Sequence, residues 1–238
     1  MTATSAKVEE YLETIYNMEM EGDVVIGARL AEKFGVKAPT VTEMLQRLEK
    51  AAYLTMDAHR HISLTEGGVA LAESVLRRHR LTERFLTDML GMQWHEVHEE
   101  ACRLEHYISG AVEERVIASL AHPTTCPHGN PIPGYVADAR GYLSRVGARR
   151  LPDAADEPVR ILCISEVLED EEETIRTMHE HGLTPGTAIT WTPDETSAGG
   201  SALLPDGHRE PLPRPLAYAL WVLPATQEFP SGAAGAQR

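Results

Sequence analysis

The chain has 238 residues, of which 42% are hydrophobic, and a formal net charge of −14 at pH 7. No apolar run reaches the roughly 18 residues that a membrane span needs, and polar residues follow Met1, so we expect a cytoplasmic protein with no membrane segment. The negative charge alone disfavours a nucleic-acid binder, so that function would require a local basic face or neutralisation of acidic groups. Three widely separated cysteines argue against a disulfide framework.

The first 65 residues carry the pattern of a winged helix-turn-helix. Residues 7–20 have apolar side chains at helical spacing, and residues 27–34 predict a short helix. A tight turn separates this helix from a second one at Ala38–Lys50. Residues 53–64 alternate as two short strands around a turn. This order predicts a winged helix-turn-helix DNA-binding domain over residues 1–65.

Two long helices are predicted to follow, at about residues 65–90 and 95–120, with Gly91 between them. They predict a helical domain over residues 66–135. Residues 136–158 have the composition of a linker.

The pattern then changes to β structure, which predicts a small barrel-like domain over residues 159–224. Its short β runs are Val159–Ile164, Ala188–Trp191, Ser201–Leu204 and Ala219–Leu223, with one helix at about residues 171–181. Residues 225–238 are small and polar and predict a disordered tail. The fold class predicted for the whole chain is mainly α.

The two long helices carry potential metal ligands at spacings of three and four residues. They are His79 and Glu83 on one helix, and His98, Cys102, Glu105 and His106 on the other. These spacings place side chains on one helix face. If the helices pack antiparallel, the two sets converge, and burying so many polar groups without a cation would be unfavourable. The pattern therefore predicts a metal site. Glu10 and Glu13 add two acids at i, i+3 on the first helix, where a solvated acidic face is the alternative.

Candidate DNA contacts follow from the helix-turn-helix, whose second helix enters the major groove by its N-terminal end. They are Lys37, Pro39, Thr40, Thr42, Glu43, Arg47 and Arg60, with Arg29 and Lys33 as possible additions. Glu43 could accept a hydrogen bond from cytosine, and the basic residues could contact phosphates. Ordinary surface charge is the alternative for each of them. We interpret His59, His61, His128, His179 and His208 as surface or turn residues, and Cys126 and Cys163 as plain thiols.

Together these residues resemble the diphtheria toxin repressor family of metal-dependent transcriptional regulators, which includes iron-dependent regulators and the manganese transport regulator. The resemblance covers residues 7 to about 223, and the His79–Glu83 pair, the run from His98 to His106 and the Gly129–Gly134 turn carry it. It implies a winged helix, a helical metal-binding dimerisation domain and a C-terminal SH3-like domain. It also implies a homodimer on a palindromic double-stranded operator, repressing metal-uptake genes.

The resemblance further implies about two metal sites per chain. Cys102, Glu105 and His106 would form the primary site with a side chain from the first helix, and His79, Glu83 and His98 the ancillary site, which Glu166 and Glu169 can complete. Iron-type members have Met where this chain has Glu10, and Glu13 matches a carboxylate of manganese-type members, whereas Cys102 is the iron-type choice. Because hard carboxylates suit Mn(II), we expect Mn(II) to activate the protein, and an Fe(II)-dependent repressor of iron-uptake genes is the alternative.

Two other functional classes remain open from the residues. Adjacent sites with carboxylate and imidazole ligands could activate water in a metalloenzyme. Alternatively, the protein could be a metal buffer or chaperone. Neither alternative uses the helix-turn-helix, and the sequence offers no supporting general base, so we expect a regulator and not an enzyme.

Overall fold

The structure is a computed structural model that describes residues 5–167, 172–194 and 199–230. Its helices are α1 (Ala6–Met20), α2 (Gly27–Lys33), α3 (Ala38–Lys50), α4 (Glu66–Asp88), α5 (Val97–Leu104), α6 (Gly110–Ser119), α7 (Tyr142–Arg145), α8 (Glu172–Glu180) and α9 (Arg214–Ala219). Its strands are β1 (Leu54–Met56), β2 (Ile62–Leu64), β3 (Arg149–Arg150), β4 (Pro158–Ile164), β5 (Ala188–Pro193), β6 (Gly199–Leu203), β7 (Arg209–Pro213) and β8 (Leu220–Pro224). Among the described residues, no helix has the length and apolar character needed to cross a membrane.

The chain divides into two compact units, Met1–Arg77 and Arg78–Arg238, and the division falls within α4. The first unit contains α1, α2, α3 and the β1–β2 hairpin, in the order predicted for a winged helix-turn-helix. The bounds of α3 agree with the sequence prediction. Gly35 adopts a left-handed φ of 60° in the turn between α2 and α3, a conformation that glycine adopts without strain.

Apolar side chains at helical spacing fix the helix-turn-helix in the first unit. Val41, Leu45 and Leu48 on α3 are buried, as the sequence pattern predicts. The ring of Tyr11 on α1 stacks on Phe34 after α2, with the ring centroids 4.2 Å apart. The core of this unit therefore positions α3 with its opposite face toward solvent.

The hairpin is tied to α1 and to the chain before α2 by hydrogen bonds that its backbone N–H groups donate. The Ile62 N–H donates to the carbonyl of Val25 at 2.9 Å, and the Leu64 N–H donates to a carboxylate oxygen of Glu19 at 3.2 Å. The strands pair antiparallel, with Leu54 opposite Leu64. These contacts hold the hairpin as a wing beside the helix-turn-helix.

The second unit departs from the sequence prediction in its helices. One helix at residues 95–120 was predicted, but α5 ends at Leu104 and α6 begins at Gly110. Ser109 caps α6 by accepting a hydrogen bond from the Val112 N–H at 3.4 Å. The prediction of a single helix was wrong because apolar residues recur at helical spacing on both sides of this cap.

A six-stranded antiparallel sheet forms the rest of the second unit, in the order β3-β8-β4-β5-β6-β7. β3 and β7 are not paired with each other in the described chain, so the sheet is open there. The molecule is thus helical in its N-terminal part and carries an antiparallel sheet in its C-terminal part. The segment predicted as a linker contains α7, β3 and a 3₁₀ turn at Leu151–Ala154.

β7 is a strand that the sequence did not predict. Pro211 and Pro213 suggest irregular chain, because proline cannot donate a hydrogen bond within a sheet. β7 lies at the edge of the sheet, where a missing donor is tolerated. The edge position of β7 therefore explains why a segment with two prolines forms a strand.

Two adjacent glycines at the start of α4 differ in the space available for a side chain. A Cβ at Gly68 would lie 1.9 Å from the carbonyl oxygen of Tyr53, whereas the nearest atom to a Cβ at Gly67 would lie 3.8 Å away. We expect Gly68→Ala to lower the free energy of unfolding by about 1–3 kcal/mol, because helix and hairpin must separate. Gly67→Ala should raise it by up to about 1 kcal/mol. Urea unfolding of both variants measures this difference, and equal stabilities would contradict it.

Candidate metal centre

The centre is built on α4, which carries His79 and Glu83 one turn apart. Both side chains are almost completely buried. α5 supplies His98 and Cys102, also one turn apart. Helical spacing therefore brings two pairs of metal-ligand types together, as the sequence predicted.

The imidazole of His79 lies at the middle of the cluster. Its Nδ1 is 2.6 Å from Oε2 of Glu105, and its Nε2 is 3.2 Å from both Oε1 of Glu83 and Nδ1 of His98. The sulfur of Cys102 lies 3.7 Å from Nε2 of His98 and 4.0 Å from Nδ1 of His79. One ligand atom each of His79, His98 and Cys102 lies within 4.8 Å of the others. Imidazole and thiolate in this arrangement are suitable ligands for a divalent transition-metal ion.

Electrostatics favour charged ligands in this cluster. Burial, the largest single effect, opposes a charge on His79, but Glu83, Cys102 and Glu105 together outweigh it and raise the pKa of His79 well above its usual value. Desolvation, the largest single effect, likewise opposes a thiolate at Cys102, but the imidazoles of His79 and His98 together outweigh it and lower the pKa of Cys102 to about 7. Since a metal ligand must give up its proton, binding at this site should release protons.

Glu105 and His106 follow the end of α5 instead of lying within one long helix. Glu105 is buried, and its Oε1 lies 3.2 Å from Nε2 of His106 while its Oε2 contacts His79. The Arg78 side chain donates to the Glu105 carbonyl at 2.7 Å and so fixes this turn. Glu105 thus reaches the cluster from a turn, whereas the sequence predicted that it lies within a continuous helix.

A second group of ligand types consists of Glu83, Cys126 and His128, all fully buried, and the sequence interpretation missed it. One ligand atom of each lies within 4.8 Å of the others. Nδ1 of His128 is 3.2 Å from Oε1 of Glu83, and Nε2 of His128 is 3.0 Å from the Trp94 carbonyl, which indicates that Nε2 carries a proton. His128 is fully buried, so its interpretation as a surface residue was wrong, and Cys126 becomes a candidate ligand beside it.

The two carboxylate oxygens of Glu83 differ in their polar contacts. Oε1 lies within 3.4 Å of ring nitrogens of His79, His98 and His128, whereas buried Oε2 accepts no hydrogen bond from the described part of the chain. Burial favours the neutral acid, yet His128 and His79 hold the pKa of Glu83 well below its usual range. A buried carboxylate oxygen beside imidazole and thiol donors fits a cation ligand.

The loop that carries Cys126 and His128 is fixed against β4. A Cβ at Gly129 would lie 2.2 Å from the Leu162 carbonyl oxygen, and Gly129 has a φ of 89°. The Ile164 N–H donates to the His128 carbonyl, and the Asn130 side chain donates to the Ile164 carbonyl. The motif Cys-Pro-His-Gly before Asn130 was the sequence signal for this group, because its Cys and His are two residues apart.

Glu166, predicted as an ancillary ligand, lies in a buried ion pair with Arg80. Arg80 donates from Nε to Oε1 at 2.7 Å and from Nη2 to Oε2 at 2.6 Å, and also donates to the Pro131 carbonyl. Burial favours the neutral acid, but Arg80 lowers the pKa of Glu166. The ligand role of Glu166 stays a prediction, and Glu169 lies outside the described residues.

The remaining predicted site residues lie in the first unit. Glu10 is exposed and Glu13 half-buried on α1, and their ligand role stays a prediction. Lys37, Pro39, Thr40, Glu43, Arg47 and Arg60 are exposed, as DNA contacts require. Thr42 is half-buried, and its hydroxyl donates to the Ala38 carbonyl at 3.0 Å.

Comparison with known proteins defines the class. Residues 3–62 match the family described as iron dependent repressor, N-terminal DNA binding domain. Residues 65–134 match iron dependent repressor, metal binding and dimerisation domain. The chain therefore belongs to the iron-dependent repressor family, whose members are DNA-binding transcriptional repressors and not enzymes.

The relatives of this chain include proteins named for iron and proteins named for manganese. The chain is 38% identical over 221 residues to the iron-dependent repressor IdeR of Mycobacterium tuberculosis, covering 90% of this chain and 95% of the relative. It is 36% identical to the diphtheria toxin repressor of Corynebacterium diphtheriae, covering 76% and 82%. A solved structure titled "Manganese-dependent transcriptional repressor complex with manganese" superposes with a TM-score of 0.77 at 30% identity, covering 91% and 99%. The protein is a metal-dependent transcriptional repressor with both iron and manganese regulators among its relatives.

The Arg80–Glu166 pair predicts a large stability effect. Glu166→Gln would leave the Arg80 charge buried without its counter-ion, so we expect a loss of about 3–5 kcal/mol in the free energy of unfolding. Glu157→Gln removes the partner of Arg149 in an exposed pair and should change stability little. Chemical denaturation of the metal-free protein measures both. Similar stabilities for the two variants would show that the buried pair is not stabilising.

Proposed function

We propose that this protein represses metal-uptake genes in response to Mn(II), with Fe(II) as the alternative activating ion. The observation that carries the metal response, whichever ion activates it, is the convergence of His79, His98 and Cys102 within ligand distance of one another. It is supported by carboxylates at Glu10 and Glu13, which are hard ligands suited to Mn(II). Cys102 favours Fe(II) in the same comparison, so the preference depends on the first-helix acids.

We infer about two metal sites per chain. Cys102, Glu105 and His106 would form the primary site, and Glu10 and Glu13 would complete it. Glu83 would be the centre of the second site.

Five side chains surround that second site in the proposal. Glu83, His79 and His98 carry over from the family resemblance, and Cys126 and His128 extend the set because they lie beside the same carboxylate. The pairing of Glu166 with Arg80 argues that Glu166 contributes by holding the loop through Arg80 and Pro131.

Neutralisation of the carboxylate charges by a bound metal ion supplies a physical basis for the metal response. The clustered carboxylates repel one another in the metal-free protein, and metal binding removes that repulsion. A bound ion that links the first helix to the metal-binding domain would select one arrangement of the DNA-reading elements from several. A coupling free energy of about 1–3 kcal/mol would suffice for regulation.

Operator geometry and assembly belong to the same proposal. A homodimer would place two copies of α3 on a palindromic operator, with half-sites about one helical turn apart. The open C-terminal sheet would serve as an SH3-like module.

Loss of primary ligands tests the function. We expect Glu105→Ala and His106→Ala to lose the metal-dependent gain in DNA affinity, about 5- to 150-fold in the unmodified protein. Gel-shift assays would use a duplex selected by this protein from a random-sequence pool with Mn(II). Each variant would be titrated with Mn(II), with anaerobic Fe(II) and with chelator.

Glu180→Ala, at an exposed carboxylate on α8, is the matched control and should respond as the unmodified protein does. Circular dichroism establishes that each variant is folded. Equal DNA binding with metal and with chelator in the unmodified protein would rule out the metal response.

The second site has its own test. We expect about two Co(II) ions per chain in spectroscopic titrations of the unmodified protein. Cys126→Ser should weaken one of these binding events roughly tenfold or more and reduce the sulfur-to-cobalt absorption. Cys163→Ser, at another buried thiol, should leave both unchanged. Identical titrations for the two variants would exclude Cys126 as a ligand.

A further inference from the structure

Glu83, Cys126 and His128 form a ligand set of their own within the buried cluster. One ligand atom of each lies within 4.8 Å of the others, and all three residues are buried. A different set of three includes the thiol of Cys102 together with two imidazoles. The cluster therefore has two thiols, and each belongs to a different group of potential ligands.

The two thiols differ in their access to solvent. Cys102 is exposed, whereas Cys126 is buried. The partners of Cys126 are equally inaccessible, since Glu83 and His128 each have 0% of their surface exposed. An ion that reports the metal concentration of the cell must enter and leave its site, which an exposed ligand permits. An ion among three buried ligands exchanges slowly, because the protein must open locally before the ion can leave.

Protein donors fix the backbone of the loop at residues 124–130, which carries two of the three ligands. Nε of Arg84 on α4 donates to the Thr125 carbonyl at 2.8 Å. The indole Nε1 of Trp94 donates to the Pro127 carbonyl at 2.9 Å. The loop is thus fixed by its own protein contacts, so little conformational entropy is lost when its side chains bind an ion.

The charges of this set match one divalent ion. Nε2 of His128 lies 3.0 Å from the Trp94 carbonyl, so it keeps its proton and leaves Nδ1 to bind an ion as a neutral imidazole. The Glu83 carboxylate and a Cys126 thiolate then neutralise the two positive charges, and the thiol proton is released to solvent. Hydrogen bonds alone do not satisfy the set, because Oε2 of Glu83 accepts none from the described part of the chain.

We propose that Glu83, Cys126 and His128 bind a structural Zn(II) ion, which stays bound while the regulatory ion at the primary site binds and leaves. The proposal rests on the second site proposed above and assigns it an ion of a different class from Mn(II). Zinc binds carboxylate, thiolate and imidazole ligands in four-coordinate sites, whereas Mn(II) prefers oxygen ligands. The fourth position is open to a neighbouring imidazole such as that of His98, whose Nδ1 lies 3.4 Å from Oε1 of Glu83.

The position of these ligands in the chain separates the zinc ion from the DNA response. All three belong to the unit Arg78–Arg238, so an ion bound by them alone does not link the first helix to the metal-binding domain. It would instead fasten the loop at residues 124–130 to α4. We therefore expect zinc to stabilise the metal-binding unit without activating DNA binding.

The test loads the full-length protein with Zn(II) and Mn(II) and then dialyses it extensively against citrate, a weak chelator. Elemental analysis should find about one zinc ion per chain and no manganese. Cys126→Ser and His128→Gln should retain roughly tenfold less zinc or lose it entirely. Cys163→Ser, at another buried thiol, is the control and should retain the zinc. Loss of zinc from the unmodified protein, or full retention by Cys126→Ser, would overturn the proposal.

X-ray absorption at the zinc edge identifies the thiol in a protein that still binds the ion. Zinc retained by Cys102→Ser should have one sulfur neighbour at about 2.3 Å, because the ligand is Cys126. Zinc without a sulfur neighbour in Cys102→Ser would assign the ion to the exposed thiol and refute the proposal.

Gel shifts with the selected duplex distinguish this proposal from the repressor function. The dialysed protein, with its zinc retained, should bind DNA weakly until Mn(II) is added. Full DNA binding by this protein without added Mn(II) would contradict the structural role of zinc and leave metal-dependent repression standing. Retained zinc with no response to Mn(II) or Fe(II) would contradict the proposed function and leave the zinc site standing.

Discussion

The buried carboxylate of Glu83 is the interaction on which the metal-binding unit depends. One of its oxygens lies within 3.4 Å of three imidazoles, contributed by α4, α5 and the loop before Asn130. A buried charge of this kind is tolerated only when its neighbours compensate it. Three segments that are distant in sequence are therefore held at one point by a polar contact.

The ionisation of the ligand groups in this cluster couples metal binding to pH. A raised pKa at His79 and a pKa of about 7 at Cys102 place opposite charges beside each other. A divalent ion competes with protons for these atoms, so metal affinity and pH are coupled. Oε2 of Glu83 accepts no hydrogen bond from the described part of the chain, so this oxygen remains able to bind a cation.

Much of the fold could be predicted from the sequence, because its helices carry periodic apolar residues and its turns carry glycines. The bounds of α3, and the pairing of His79 with Glu83, depend only on helical spacing. The break between α5 and α6 and the strand β7 could not be read in this way, since they depend on a cap and on position in the sheet. Cys126 and His128 were missed because their partner Glu83 lies more than 40 residues earlier. The spacing of Cys126 and His128 indicates a possible ligand pair, but it carries no information about a partner so far away in the sequence.

The prolines of β7 have a consequence for the behaviour of the protein at high concentration. An unpaired edge strand offers backbone donors to a neighbouring molecule and can begin intermolecular aggregation. Pro211 and Pro213 remove two such donors within five residues at one end of the sheet. The β7 edge of the sheet therefore offers fewer donors for pairing with a neighbouring molecule than an edge strand without proline would offer.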